Sequence, residues 1–291
     1  MAKGLVLIAA LLFLNAQSVN ACDMHGRSGI VEENDLWISA DQKEQTNGMS
    51  EEIFNVVLDK VQAIYTPIIS ARGKTLQVER NWSNGTVNAF AQQTGNIWKI
   101  SMFGGLARHE TVTPDGFALV ACHEIGHHIG GQPKKRSFFG GSWASNEGQA
   151  DYFGNAKCLR KYFEGDDNLA IVEALDIPAI VTERCEANFT SEEEIAVCQR
   201  GSMAGLSLAG LFHALRNSTE PLVFETPDPA VVSRTDDNHP ASQCRLDTYF
   251  QGALCEISAY VDVSDRNANE GTCNRTDGYT DGLRPLCWFK P

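Results

Sequence analysis

Ala121-Cys-His-Glu-Ile-Gly-His-His-Ile-Gly-Gly131 holds an H-E-x-x-H pattern, His123 to His127, between a helix start and a helix stop. Thr113-Pro114-Asp115 supplies the start, with a capping hydroxyl followed by proline, and Gly130-Gly131 supplies the stop. On a helix, residues four apart lie about 40° apart around the axis, so His123 and His127 present their imidazoles to one point. Neutral imidazole suits Zn²⁺, and two such ligands leave room for a third and a water. Glu124 borders the same face, where a carboxylate can take the proton of a metal-activated water. His128 sits about 100° round from His127, off that face, and reads as a packing residue.

Twenty residues after His127 comes Glu147, in Trp143-Ala-Ser-Asn-Glu-Gly-Gln-Ala-Asp-Tyr-Phe-Gly154. Ser145 is the expected cap of a second helix running from Asn146 to about Tyr162. If that helix crosses the first, Glu147 becomes the third ligand. Asp151, one turn on, can then accept the free N–H of a ligating imidazole and fix its tautomer. The expected cofactor is one Zn²⁺ per chain.

Outside these helices, Ser50 caps a helix whose apolar face carries Ile53, Phe54, Val57, Val61 and Ile64. Thr75–Glu79, Thr86–Gln92 and Ile97–Phe103 read as strands. Ser191 opens a long helix towards Leu215, and a last helix is expected over 240–255. Met203–Leu215 is apolar but too short to span a bilayer and reads as a helix packed beneath the site. Residues 131–144 read as a Gly-rich loop, more an ordinary solvated connection than a lid. Asp265, Asn267 and Asn269 read as a polar turn rather than a calcium loop, because Glu270 and Thr276 stand where that loop needs glycine and glutamate. The fold class is α+β, mainly helical, with a small sheet ahead of the H-E-x-x-H helix.

The chain begins with Lys3, an apolar run from Gly4 to Leu14 and Val19-Asn20-Ala21, which together read as a signal peptide over residues 1–21. Residues 22–291 are then one domain, with a cysteine-rich C-terminal segment from about 244. Simple cleavage is favoured over a lipid anchor at Cys22, because Asn20 and a polar stretch fit lipid modification poorly. The expected location is secreted or periplasmic, with an outer-membrane lipoprotein as the alternative. No transmembrane span is expected after residue 21. A net charge of −13 opposes nucleic-acid binding. Nine cysteines in an exported chain suggest disulfides. The nearest pairings are Cys185/Cys198, Cys244/Cys255 and Cys273/Cys287, with Cys122 the unpaired thiol.

Three blocks of this sequence resemble the gluzincin zinc peptidases grouped with HtpX and the CAAX prenyl proteases. They are Asn88-Ala-Phe-Ala91 with the strand to Gly104-Gly105, the H-E-x-x-H and Glu147/Asp151 pair, and His239-Pro240 with Arg245. The resemblance implies a zincin-type metallopeptidase core in which the strand near Ile97–Phe103 is the edge that binds an extended protein or peptide substrate. It implies that His239 donates to the developing oxyanion. It also implies that Arg245 bridges carboxylates behind the metal or holds His239. The family's members are largely integral membrane proteins, whereas this chain shows no such span. The resemblance therefore points to a soluble, exported zinc endopeptidase using Glu124 as general base. A cell-wall peptide amidase and an exported binding protein with a non-catalytic metal site are the alternatives.

Overall fold

The computed structural model describes residues 19–20, 29–41, 47–137 and 140–291. The residues expected to form the signal peptide, apart from the backbone of 19–20, lie outside these, as does Cys22. Along the chain come β1 (Val19–Asn20), α1 (Glu51–Ser70), β2 (Thr75–Asn81), β3 (Ala89–Thr94) and β4 (Ile97–Phe103). The short α2 (Gly104–Ala107), α3 (Pro114–Ile129), β5 (Lys134–Ser137), β6 (Gly140–Ser145) and α4 (Glu147–Phe153) follow. A π-helical turn, Gly154–Leu159, runs directly into α5 (Arg160–Tyr162). The remaining helices are α6 (Asn168–Glu173), α7 (Ala179–Asn188), α8 (Glu192–Leu215) and α9 (Ser242–Leu254), with a 3₁₀ turn at Arg275–Asp277. The class is α+β, as expected.

α3 is the centre of the molecule. The Thr113 hydroxyl accepts the Gly116 N–H at 3.1 Å and Pro114 occupies the first turn. Every residue from Gly116 to Ile129 is buried, the mark of a helix covered on all sides. α1, α4, α8 and the π turn pack round it, and Phe54 of α1 stacks on its Phe117 at 4.9 Å. Gly126 lets α4 close on α3, because a Cβ there would stand 3.0 Å from the Ala150 carbonyl oxygen. α8 is long and apolar enough to cross a membrane by length and composition. In the fold it packs against α3 and α9, and its Ala204, Leu208, Leu211 and Phe212 belong to the main core.

The larger sheet has the order β1-β3-β4-β2, with β2 and β4 parallel and the other pairs antiparallel. This corrects the expectation for Ile97–Phe103. β4 is paired along its length on both sides, so its backbone has no room for a further strand. The strand beyond it on one side is β3, which carries Val19–Asn20 against Gln92–Gln93.

Two further expectations are corrected. Residues 131–144 are not an irregular loop, because Lys134–Ser137 and Gly140–Ser145 pair as a β-hairpin. The cap of α4 is Asn146, whose side chain accepts the Gln149 N–H at 2.9 Å. Ser145 is instead the last residue of β6, with its hydroxyl on the Gly131 carbonyl.

Four disulfides form among the described residues. Cys185–Cys198 is the expected one. Cys244 bonds Cys287 and Cys255 bonds Cys273, because the tail folds back so that its end meets the start of α9 and its beginning meets the end. Cys122 is not a free thiol. It bonds Cys158 and so ties α3 to the π turn that continues α4. Such cross-links belong to an oxidising compartment.

Candidate metal centre

His123, His127 and Glu147 are brought together, all three wholly buried, with one ligand atom each within 4.8 Å of the others. Glu147 Oε2 lies 3.3 Å from His123 Nε2 and 3.8 Å from His127 Nε2. The other ring nitrogens are already used. His123 Nδ1 donates to Asp151 Oδ1 at 2.7 Å, and His127 Nδ1 donates to the Ser145 carbonyl at 2.8 Å. Both Nε2 atoms therefore turn towards Glu147, as the expectation for Asp151 required.

Burial without hydrogen bonds is the test of whether these residues fit a cation. His123 Nε2 and both carboxylate oxygens of Glu147 are buried and make no aligned hydrogen bond, although polar atoms in that position are normally satisfied. Two imidazole nitrogens and a carboxylate converging from two helices are a donor set suited to Zn²⁺. They fit.

The electrostatics agree. Burial and the neighbouring His123 and Lys135 drive the His127 imidazole well below its ordinary range, against the pull of Glu147, leaving it neutral. Burial lowers His123 too, but Asp151, Glu147 and Glu124 outweigh it and raise the ring to about 9. A bound dication opposes that proton. Burial would raise the Glu147 carboxyl, yet His239, Lys135 and His127 hold it well below the usual carboxylate range.

Behind His123 the support is dense. Arg245 clamps Asp151 with two hydrogen bonds of 2.7 Å, from Nε to Oδ2 and from Nη2 to Oδ1. Tyr249 adds its hydroxyl to Oδ1 at 2.6 Å. Arg245 also caps the Phe212 ring at 3.6 Å and donates from Nη1 to the Ile30 carbonyl at 2.7 Å. Its place is thus behind the ligands, on Asp151, and not against His239.

His239 joins the site from the loop before α9. Its Nε2 lies 3.3 Å from Glu147 Oε2 and donates to the Gly29 carbonyl at 2.8 Å. Glu124 is wholly buried in α3 beside His123. His128 is a packing residue, stacked between Trp98 at 5.3 Å and Trp143 at 5.0 Å. Its Nε2 donates to the Lys99 carbonyl, and burial pushes the ring down to about 4.

Four contributors are new. Tyr249 lies four residues after Arg245, a spacing visible on one helix face. Lys135 pairs with Glu147 Oε1 at 2.7 Å, and nothing local in Lys134-Lys135-Arg136 marks the middle cation. Trp143 reaches His128 only because the hairpin forms. Gly29–Val31 is too short to show a period. It is tied in by Ile30 N–H on the Ala89 carbonyl and by Asn88 on Val31. A Cβ on Gly29 would fall 2.1 Å from the Ala89 carbonyl oxygen, so only glycine fits there.

A second group, Asp228, Cys244 and Cys287, also comes together. Its two sulfurs are joined as a disulfide and offer no thiolate. Searches against family models, curated proteins and solved structures returned no match.

Proposed function

We propose that the chain is an exported zinc-dependent endopeptidase, with a zincin-type core, His123, His127 and Glu147 as ligands and Glu124 as general base. The observation that carries the reading is the convergence of three buried donor groups, with His123 Nε2 and Glu147 Oε2 lacking hydrogen bonds, at a helix that also presents Glu124. A structural metal site has no use for a carboxylate placed beside two ligands and not itself part of the donor set.

A bound zinc ion supplies Lewis acidity, lowering the pKa of a water and polarising the scissile carbonyl. The Glu124 carboxylate takes the proton of the attacking water and delivers it to the departing amine nitrogen. His239 holds its Nε2–H on a backbone carbonyl, that of Gly29. A substrate carbonyl would take the same bond, and there the donor stabilises the developing oxyanion. Asp151, held by Arg245 and Tyr249, keeps His123 in the tautomer that leaves Nε2 to the ion.

A peptide substrate is favoured by β3. Its edge already accepts an extended segment of this chain, Val19–Asn20, in antiparallel register, which is the pairing an extended peptide needs. A cavity of about 70 Å³ beside His239, lined by Val31, Phe212 and Leu215 together with Glu32, Glu33 and Arg216, would take a small side chain.

The test is Glu124→Gln in the purified chain. The variant is expected to keep one zinc per chain while cleavage of an unfolded casein-like protein falls by at least about 100-fold. Cleavage at the wild-type rate would refute the base. Activity on peptidoglycan but not on protein would replace the endopeptidase with an amidase.

A further inference from the structure

The hairpin that follows α3 carries three consecutive cations, and each has its own carboxylate. Lys134 pairs with Asp265 and Arg136 with Asp237, both partners partly exposed. Lys135 pairs with Glu147, whose carboxylate has no exposure at all. The strand's register shifts between Lys134 and Arg136, so the three cations are distinguished by the partners they reach and not by simple alternation. Lys134 and Arg136 reach partly exposed carboxylates, and Lys135 reaches the buried one at the metal centre.

An ammonium in such a place is costly unless its charge is answered. Lys135 is only 11% exposed at its side chain and meets Glu147 Oε1 at 2.7 Å. The other oxygen, Oε2, is the one near His123 and His127. The carboxylate is thereby divided, with one oxygen towards the lysine and one towards the imidazoles. Asn146 caps the helix and fixes where Glu147 begins, but it does not choose which oxygen faces the ligands. Lys135 does.

We propose that Lys135 is a positioning residue that holds Oε1 of Glu147, so that Oε2 alone faces His123 and His127 as the donor to a divalent cation. The hairpin that carries it is anchored by Trp143 on His128, next to the ligand His127. The proposal rests on the zinc reading of the triad.

Lys135→Met and Lys135→Arg test it in the full chain, with zinc affinity measured by chelator competition and the visible spectrum of the cobalt-loaded protein recorded. Lys135→Met is expected to weaken zinc binding by about 10- to 100-fold, the usual cost of losing a group that orients a ligand. It should also change the cobalt d–d bands, because the freed carboxylate can engage through both oxygens. Lys135→Arg, which keeps a cation at that distance, should restore most of both. Unchanged affinity with an unchanged cobalt spectrum would overturn the proposal. So would tighter binding in Lys135→Met, which would show the ammonium competing for the cation's place. A wild-type chain that binds neither zinc nor cobalt would overturn the zinc reading as well, whereas the two preceding outcomes leave it standing.

Discussion

Glu147 and Asp151 stand one turn apart on the same helix, both wholly buried and both held ionised by their surroundings, and their environments are opposites. Asp151 is saturated, with His123, Arg245 and Tyr249 filling both its oxygens through hydrogen bonds of 2.6 to 2.7 Å. Glu147 is ringed by His123, His127, His239 and Lys135, yet these are charge contacts and neither oxygen takes an aligned hydrogen bond. One carboxylate is finished by the protein, and the other belongs to a group that could hold a cation. The first is scaffold, and its value lies in never moving. On the proposed reading the second is a ligand, and a hydrogen bond that fixed Oε2 would compete with the metal.

The sharpest way to break this contrast is to disable each carboxylate and measure unfolding with and without zinc. Arg245→Leu strands Asp151 as a buried charge, and removal of one partner of such a pair costs about 3 to 5 kcal/mol. That loss should appear in the metal-free and the zinc-loaded protein alike. Glu147→Gln should be the milder change in the metal-free protein and should abolish the stabilisation that zinc confers on the wild type. Thermal melts at matched zinc concentration decide it. If Glu147→Gln still gains stability from zinc as the wild type does, Glu147 is not a ligand.

A smaller effect sharpens the comparison at a third charge, Lys157, farther along the same run of helix. Its ammonium donates to the Ser258 carbonyl at 2.7 Å and makes no ion pair among the described residues. Burial pulls it from 10.5 down to about 7. Between those values the unfolded chain holds a proton that the folded chain has released. Stability should therefore rise with pH from about 7 to about 10.5. Lys157→Met should flatten that rise in pH-dependent urea midpoints. An unchanged slope would show that Lys157 keeps its proton in the fold.

Much of the centre is legible in the sequence. His123, Glu124 and His127 announce themselves by helical spacing, and the Thr113-Pro114 start and Gly130 stop fall where local chemistry puts them. Glu147 and Asp151 follow from one further helix. The structure brings His239 and Arg245 to the same centre, although their blocks are weak on their own.

What resists reading is everything that depends on distant chain. Lys135 and its two neighbours are alike in sequence, and only the carboxylates they meet in the folded hairpin separate them. The stretch over 131–144 cannot be recognised as a hairpin from composition, because Gly-rich sequence suits loops and hairpins equally. Cysteine pairing fails for a similar reason. Nearness in sequence suggests Cys244/Cys255, but these lie at opposite ends of α9, about 16 Å apart along a helix rising 1.5 Å per residue. Cys122 looks unpaired because its partner, Cys158, lies beyond a hairpin and a second helix.

The most direct test of the central claim is a crystal structure of the zinc-soaked chain with anomalous data across the zinc edge. One anomalous peak per chain is predicted, about 2.0 to 2.2 Å from Nε2 of His123, Nε2 of His127 and Oε2 of Glu147. A chain that takes up no zinc, or a peak away from these three atoms, would contradict it.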